Sequence, residues 1–341
     1  MEDPRNRRSR SLIAITAIAL IPLVWSLGLI GRGIWQLFEP NRIAITGNSR
    51  VRSFATVPNV ATGVYNYGGG TAWASLRLAV DSVIQSERPE LQLRYVQPQT
   101  QPPGSSPGIQ MLLEGEVAFV QSSAPLGSAE YRLARQKGLR LVQIPVAVNS
   151  IAVAVHPQLE ITGLTFNQLQ AIYTGKVSNW RELGGADIPI TPYSRPPSTG
   201  GMVALFNSRV LQNREFGSSV RFVATTTEAL RQLADDPGGI YYGSAIDIVP
   251  QCTVKPLPLA IEAEPVAPYQ KPLVPAAECP QKRNRLNIEA LSQADYPLTH
   301  YLYVVYITND EKSQIGRVYA DFLLTPQGQN LIAKAGFIPL D

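Results

Sequence analysis

Residues 164–201 read LTFNQLQAIYTGKVSNWRELGGADIPITPYSRPPSTGG, and this stretch decides the fold class. Thr165 and Gln168 form a capping-box pattern at the start of a short helix, which we expect to end near Gly175. A β-rich run, 188–193, follows, and a new helical pattern begins directly after the quoted stretch. Helices and strands that alternate at this spacing predict α/β architecture.

The rest of the chain from about residue 61 shows the same alternation. Two β-rich runs lie within 141–155, and we expect the chain to cross there from one lobe to another. Residues 254–285 are rich in proline and lack periodicity, so they are predicted to form a loop. The other predicted strands are 63–67, 117–120, 240–242 and 300–308, and the other predicted helices are 72–87, 109–114, 202–211, 227–234 and 313–335.

Composition limits the classes of function that the chain can have. The 341 residues are 45% hydrophobic and 16% charged, which is typical of a folded globular protein and allows two lobes behind a separate N-terminal element. The net charge is +4, and residues 1–40 hold half of it, with five arginines against three acidic residues. The remaining +2 is too little for a nucleic-acid-binding surface, so an anionic ligand would have to be recognised locally.

The N-terminal region has the pattern of a membrane anchor. Residues 12–31 carry no charge, and as a helix they would span about 30 Å, the thickness of a bilayer core. Four arginines precede them, which places the N-terminus in the cytoplasm. We therefore predict a cytoplasmic segment 1–11, a retained transmembrane anchor 12–35, a linker 36–60 and an exported domain. A cleaved signal peptide is the alternative.

The two cysteines, Cys252 and Cys279, are expected to pair in an exported domain and to close the proline-rich loop. Two free buried thiols are the alternative. A metal site is not expected, because the two histidines, His156 and His300, lie far from the cysteines without ligand spacing.

Three Gly/Ser/Thr clusters open helical stretches, at 68–71, 104–106 and 198–201, and Arg195 precedes the last of them. The N-terminus of a helix presents free backbone N–H groups and about half a positive charge. Glycine allows close approach of the backbone, and hydroxyl groups add donors. Three such clusters and a guanidinium predict a site for a small oxyanion.

Other interpretations of these residues stay open at this point. The clusters are also typical of ordinary turns, and Arg195 also fits a surface position or a structural ion pair. Residues 104–108, GSSPG, match the nucleophile elbow of hydrolases, which would use Ser106 with a later Asp and His300. That hypothesis is weak, because Pro107 has no backbone N–H to donate to an oxyanion hole.

The helix and turn within 165–180, together with the strand, Arg and Ser/Thr-Gly turn within 190–201, resemble the type II periplasmic binding proteins that serve phosphate importers. The likeness extends over about residues 61–341 and includes 104–106, 117–126 and 236–242. It implies two α/β lobes that close over phosphate at a hinge and deliver it to a membrane permease. The first lobe would comprise 61–148 and 255–341, and the second 149–254.

The resemblance also implies the residues of the site. Arg195 matches the guanidinium that bonds the anion, and three turns supply hydroxyl and backbone donors. Ser123 stands where phosphate binders usually carry an Asp that accepts the ligand's proton, and Pro197 replaces an Asp that usually supports the Arg. These departures leave the choice of oxyanion open. The implied ligand-binding residues are Thr71, Ala72, Ser105, Ser123, Arg195, Thr199, Gly200 and Gly201.

We therefore expect a membrane-anchored solute-binding protein of the periplasm or cell exterior that holds an oxyanion, phosphate first, for ABC-type import. It would need no cofactor or metal, have no catalytic residue, act as a monomer and work with ABC permease subunits. The alternative is an anchored sensor or protein-interaction domain on the same scaffold that has lost high-affinity phosphate binding.

Overall fold

The predicted segments 1–11 and 12–35 lie outside the part of the chain that the computed structural model describes, as does most of the linker 36–60. Among the helices that the structure does describe, none has the length and apolar composition that a bilayer crossing requires. The described residues belong to one compact unit. They are residues 52–262, 264–293, 295–309 and 314–340.

A mixed β-sheet runs through the described residues, and two short strands form a separate pair. Two strands inside the sheet, 119–122 and 239–244, are buried along their whole length, as expected for strands covered on both faces. The strands are β1 Gly63–Gly69, β2 Leu91–Tyr95, β3 Phe119–Ser122, β4 Leu141–Val155, β5 Leu164–Thr165, β6 Thr191–Ser194, β7 Arg221–Phe222, β8 Gly239–Ser244, β9 Lys255–Leu257, β10 Leu259–Ala260 and β11 Thr299–Ile307.

The sheet has the strand order β2-β1-β3-β11-β4-β8-β6-β7, with β9 also paired to β4. The long strand β4 belongs to both halves. Its residues 141–150 pair antiparallel with β11, and its residues 151–155 pair antiparallel with β8. The chain therefore crosses between two lobes inside β4, within the predicted range 141–155. We call β1, β2, β3 and β11 with their helices the first lobe, and β6, β7, β8 and β9 with theirs the second lobe.

Helices pack on the sheet through apolar faces. In the first helix, for example, Leu76, Val80 and Ile84 follow helical spacing and are fully buried. The helices are α1 Ala74–Glu87, α2 Ser105–Leu113, α3 Ser128–Gln136, α4 Phe166–Tyr173, α5 Met202–Phe206, α6 Thr226–Asp235, α7 Ala245–Ile248, α8 Ile288–Ser292, α9 Gln314–Leu323 and α10 Pro326–Lys334, with a π-helical turn Asn207–Leu211 continuing α5.

The predicted capping box at the start of α4 is confirmed. The backbone N–H of Gln168 donates to Thr165 Oγ1 at 3.2 Å, and the backbone N–H of Thr165 donates to Gln168 Oε1 at 2.8 Å. These bonds satisfy two donors that a helix start would otherwise leave free. Tyr173 at the other end of α4 is fully buried in the core of the second lobe, so the helix is fixed at both ends.

Residues 254–285, predicted to form a loop, contain the short strands β9 and β10. Strand β9 pairs with residues 153–155 of β4, the part of that strand that also pairs with β8 of the second lobe, and Leu291, Tyr296 and Leu298 are buried in a core of that lobe. The resemblance implied that 255–341 belongs to the first lobe. The structure places 255–298 of this range with the second lobe, because its apolar residues pack there.

The helix predicted over 313–335 is two helices, α9 and α10. The chain leaves helical geometry after Leu323, and Thr325 Oγ1 caps α10 by accepting from the backbone N–H of Gly328 at 3.0 Å. Pro326 occupies the first position of α10, where its missing N–H costs nothing. The single-helix prediction was wrong because a Thr-Pro pair favours a new helix start.

Cys252 and Cys279 form a disulfide bond, with their Cα atoms 5.6 Å apart. The expected pairing is confirmed, and the alternative of two free thiols is wrong. The bond joins the segment after α7 to a short 3₁₀ turn, Ala276–Glu278, and so fastens the proline-rich region to the second lobe.

Candidate functional site

A cavity lies where the two lobes meet, and all eight residues predicted to bind the ligand line it. They come from the end of β1, the start of α2, the segment after β3 and the turn after β6. In an α/β sheet such ends of strands and starts of helices are the usual position of a ligand site. The eight residues are Thr71, Ala72, Ser105, Ser123, Arg195, Thr199, Gly200 and Gly201.

The cavity is small, with a volume of about 30 Å³. One water molecule needs roughly 10–15 Å³ in this measure, so the space suits a ligand of only a few non-hydrogen atoms. Polar groups face it from both lobes, which excludes a large apolar ligand. The geometry is that of a closed site for a small polar molecule.

Helix starts direct free backbone donors at this cavity. The strand β1 ends at Gly69, and a 3₁₀ turn, Thr71–Trp73, leads into α1. Within the described residues, the backbone N–H groups of Ala72, Ser105 and Gly201 form no hydrogen bond with the protein. Such groups at the first turn of a helix remain free for an anion.

The lobes lie very close to each other at glycines of the second and third clusters. Gly201 has φ +55°, and a Cβ added there would lie 2.4 Å from Ser105 Oγ on the opposite lobe. A Cβ added at Gly104 would lie 2.2 Å from the carbonyl oxygen of Thr199. Side chains at these positions would hold the lobes apart, which explains why the second and third clusters carry glycine.

Arg195 spans the cleft. Its Nη1 donates to Thr71 Oγ1 at 2.9 Å and its Nη2 to the Pro103 carbonyl oxygen at 2.5 Å, both on the first lobe. Its Nε donates to the Ala224 carbonyl oxygen on its own lobe at 3.3 Å. Burial lowers the pKa of Arg195. An arginine nevertheless stays protonated, so the guanidinium brings a full positive charge to the cavity wall.

The described residues place no carboxylate within ion-pair distance of Arg195, which argues against a structural ion pair. Pro197, which the resemblance placed where an Asp usually supports the Arg, lies exposed on the turn Pro197–Thr199. Carbonyl oxygens support the guanidinium instead. They leave its charge uncompensated, so an anion in the cavity would be the counter-ion.

Ser123 is the one pocket residue whose side chain lacks a partner. It is 2% exposed, and its Oγ forms no hydrogen bond with any described residue. Its backbone N–H donates to Ser105 Oγ at 3.1 Å, which fixes both serines at the cavity wall. A buried hydroxyl without a partner costs free energy, and a polar ligand would relieve that cost.

Two tyrosines of β8, Tyr241 and Tyr242, also line the cavity. Tyr242 shares a hydrogen bond of 2.7 Å with Ser194 and stacks on Phe206 at 3.6 Å between ring centroids. Burial raises the pKa of Tyr241 to about 12, and that of Tyr242 rises further for the same reason. Both hydroxyls are therefore neutral at ordinary pH.

Arg77 of α1 supports the first cluster and was not found from the sequence. Its Nη1 donates to the Gly70 carbonyl oxygen at 3.1 Å and to Gln121 Oε1 at 2.8 Å, and its guanidinium lies 3.8 Å from the Tyr95 ring centroid. A cation over an aromatic face is held in place by the ring quadrupole. Arg77 thus positions the turn that carries Thr71.

The network continues to Asp81, one turn further along α1. Asp81 accepts hydrogen bonds from Tyr319, at 2.9 Å, and from Tyr67, and Tyr319 in turn accepts from Gln121 Nε2 at 2.9 Å. Burial raises the pKa of Asp81, and the two hydroxyl donors oppose that effect. The only sign of this network in the sequence is that Arg77 and Asp81 lie four residues apart, on one face of the predicted helix.

The nucleophile-elbow hypothesis finds no support in the geometry. Both ring nitrogens of His300 are buried without a hydrogen-bond partner among the described residues, so His300 does not activate Ser106. Burial first, and the charge of Arg209 second, lowers the pKa of His300 to about 3, which keeps the ring neutral. Within the described residues no group of acidic, His or Cys side chains could hold a metal ion either.

Sequence comparison identifies the family. A model of the PBP superfamily domain matches residues 60–327, so the chain belongs to this superfamily. The phosphate-binding protein PstS of Bacillus subtilis (strain 168) is 31% identical over 185 residues, which are 53% of this chain and 57% of that protein. PstS of Pseudomonas aeruginosa (strain PAO1) is 26% identical over 258 residues, 71% of this chain and 74% of that protein.

Solved structures show the same fold. A putative phosphate ABC-transporter substrate-binding protein from Clostridium perfringens, with bound phosphate, has a TM-score of 0.64 at 22% identity and covers 82% of this chain and 100% of its own. An ABC-type phosphate transport receptor from Vibrio cholerae has a TM-score of 0.59 at 18% identity, and the match covers 80% of this chain and 99% of that receptor. The predicted type II α/β fold and the resemblance to PstS proteins are confirmed.

Proposed function

We propose that this chain is a receptor outside the cytoplasm that binds phosphate between its two lobes and delivers it to the membrane subunits of an ABC-type importer. The observation that carries the proposal is Arg195, whose uncompensated charge faces a small cavity and whose donors reach both lobes. The names of its relatives, phosphate-binding proteins PstS, support the choice of anion.

The mechanism is capture followed by closure. An anion that contacts donors of both lobes stabilises only the conformation in which the lobes are close together, so binding shifts the equilibrium toward it. Ser105 on the first lobe and Gly201 on the second face one cavity and supply donors from opposite sides. The released form would open about β4, the strand that the two lobes share.

The N-terminal segment fits the same role. Residues 12–35 would anchor the receptor in the plasma (inner) membrane, with residues 1–11 in the cytoplasm and the binding domain in the periplasm or outside the cell. A disulfide in the domain fits an oxidising compartment. The receptor would act as a monomer beside its permease, without a cofactor and without catalysis.

The test is calorimetric titration of the full chain in detergent with inorganic phosphate. Arg195→Ala removes the only full positive charge of the cavity wall, so we expect a loss of at least about 2 kcal/mol, roughly 30-fold in affinity. Arg181→Ala is the control, because Arg181 is exposed and pairs only with Asp187 at 3.0 Å. Equal affinity in the two variants would contradict the site.

A wild-type chain that binds no phosphate would contradict the transport role. The anchored sensor or protein-interaction domain would then be the better hypothesis, because it requires the scaffold without the ligand. Thermal unfolding of the same sample separates this outcome from misfolding, since a folded chain still gives a cooperative transition.

A further inference from the structure

The charge of the cavity wall has one sign. Among its fifteen lining residues, all of them described by the structure, Arg195 is the only ionised group and none is acidic. The two lining tyrosines are neutral, because burial raises the pKa of Tyr241 to about 12 and raises that of Tyr242 further. A ligand in the cavity therefore meets donors and a cation but no carboxylate.

A carboxylate at such a wall would select ligands by their protons. It accepts a hydrogen bond from an oxyanion that still carries a proton, and it repels a fully ionised one. A hydroxyl group does neither, because it can donate to an ionised oxygen or accept from a protonated one. Apart from N–H donors, the polar side chains of this cavity wall are hydroxyl groups, which can either donate or accept a hydrogen bond.

Ser123 is the hydroxyl residue of the cavity lining whose oxygen has no hydrogen-bond partner in the part of the chain that the structure describes. Its Oγ is buried and has no partner among the described residues, and it lies 3.2 Å from where a Cβ on Gly70 would stand. Two neighbouring hydroxyls each already accept one hydrogen bond, Thr71 Oγ1 from Arg195 and Ser105 Oγ from the Ser123 backbone N–H, which fixes each oxygen and leaves its proton for the ligand. The Ser123 hydroxyl makes no such bond with a described residue, so it can either donate to or accept from the oxygen that the ligand presents.

We propose that this site selects tetrahedral oxyanions by size and charge and not by a ligand proton, so that it binds sulfate as well as phosphate, with Ser123 as the residue that sets this tolerance. The inference rests on the proposed function, because it concerns the same cavity. It goes further in naming a ligand class wider than phosphate and the side chain responsible.

The first measurement is calorimetric titration of the wild-type full chain with phosphate and with sulfate at about pH 8. At this pH Asp247, whose charge acts on Tyr241 and whose pKa burial raises to about 6, stays ionised. We expect sulfate to bind within about 30-fold of phosphate. Sulfate weaker than phosphate by more than that would overturn the inference and leave the proposed function intact. A chain that binds neither anion would overturn both.

The second measurement uses Ser123→Asp, which puts a carboxylate at the cavity wall. We expect sulfate binding to fall by about 100-fold or more, while phosphate, which can donate a proton to the new carboxylate, falls by less than about tenfold. Ser128→Asp is the matched control, because Ser128 is exposed at the start of α3 on the same lobe as Ser123 and adds the same charge away from the cavity lining. Equal losses for the two anions in Ser123→Asp would overturn the role of Ser123.

Ser123→Ala keeps the inference testable if the Asp variant does not fold. Removal of a free hydroxyl that bonds either anion should weaken phosphate and sulfate in parallel, by about five- to tenfold each. A variant that loses one anion and keeps the other would show that the serine does discriminate, which contradicts the proposal.

Discussion

Arg195 Nη1 of the second lobe donates to Thr71 Oγ1 of the first lobe at 2.9 Å, and this hydrogen bond joins the lobes beside the binding cavity, together with the bond from Nη2 to the Pro103 carbonyl oxygen. The bond leaves the Thr71 hydroxyl proton free to face a ligand, because Thr71 Oγ1 acts as the acceptor. Thr71 therefore has two tasks, to hold the guanidinium in place and to donate to the anion.

Thr71→Val tests this double task. The substitution keeps the shape of the side chain and removes the hydroxyl, so we expect phosphate affinity to fall by about 1–1.5 kcal/mol, roughly tenfold. Thr62→Val is the control, since Thr62 is exposed just before β1. Calorimetric titration of both variants is the measurement. An unchanged phosphate affinity in Thr71→Val would mean that the Thr71 hydroxyl does not bind the anion.

Gly201→Ala tests the close approach of the lobes. The new Cβ would lie 2.4 Å from Ser105 Oγ, and moving that oxygen would break its bond with the Ser123 N–H. Gly184→Ala is the matched control, because Gly184 also has positive φ, +83°, but meets no atom within 4 Å.

Both alanine variants should lose about 1 kcal/mol of stability from the left-handed backbone. Only Gly201→Ala should also lose phosphate affinity, by at least about tenfold, because only there does the methyl group prevent closure. Thermal unfolding and phosphate titration of the two proteins give the comparison. Similar phosphate affinities would mean that the closed geometry is not the binding-competent one.

Most of the eight predicted residues lie in or beside a local pattern, whereas Ser123 was implied only by the resemblance to phosphate-binding proteins. Small and hydroxyl residues are typical of a helix start, so the clusters at 104–106 and 198–201 predict the helix starts that the structure shows there. Arg195 follows a strand and precedes such a cluster, which fixes its direction relative to the helix start. Such patterns can be recognised in the sequence because the backbone conformation at a helix start depends mainly on residues that are neighbours in the chain.

The support around the site could not be found in the same way. Arg77 bonds Gln121, and Asp81 bonds Tyr319, a residue 238 positions away in sequence. No local pattern contains such a contact, since the sheet order that creates it puts β11, from the end of the chain, beside β3. The assignment of 255–298 to the first lobe differed from the structure for a related reason, because lobe membership depends on long-range pairing.

Asp247 on α7 predicts a pH dependence of stability. Burial alone raises its pKa to about 6, and the described residues give its carboxylate no hydrogen bond and no ion pair. An acid with a raised folded pKa favours the native state below its unfolded pKa and costs stability once it ionises. Stability should therefore fall as pH rises from about 4 to about 6 and then stay level with respect to this group.

Asp247→Asn removes the ionisation. We expect the variant to be more stable than the wild type by about 1–2 kcal/mol at about pH 7.5 and to lose this advantage at about pH 4. Denaturant unfolding at the two pH values is the measurement, with Asp187→Asn as the control, since Asp187 is exposed and paired with Arg181. An equal gain in unfolding free energy at both pH values would contradict the assignment of the effect to ionisation of Asp247.

The disulfide should contribute to stability but not to binding. Cys252 and Cys279 are 27 positions apart, and cross-linking a loop of that length is worth about 3.5 kcal/mol in the chain-entropy model. Neither cysteine lines the cavity. We therefore expect Cys252→Ser with Cys279→Ser to lower the unfolding free energy by about 2–4 kcal/mol while phosphate affinity changes by less than about twofold. A large loss of affinity at a temperature where the double variant stays folded would show that the proline-rich region helps to shape the site, because the second lobe would then depend on this bond for the geometry of Arg195.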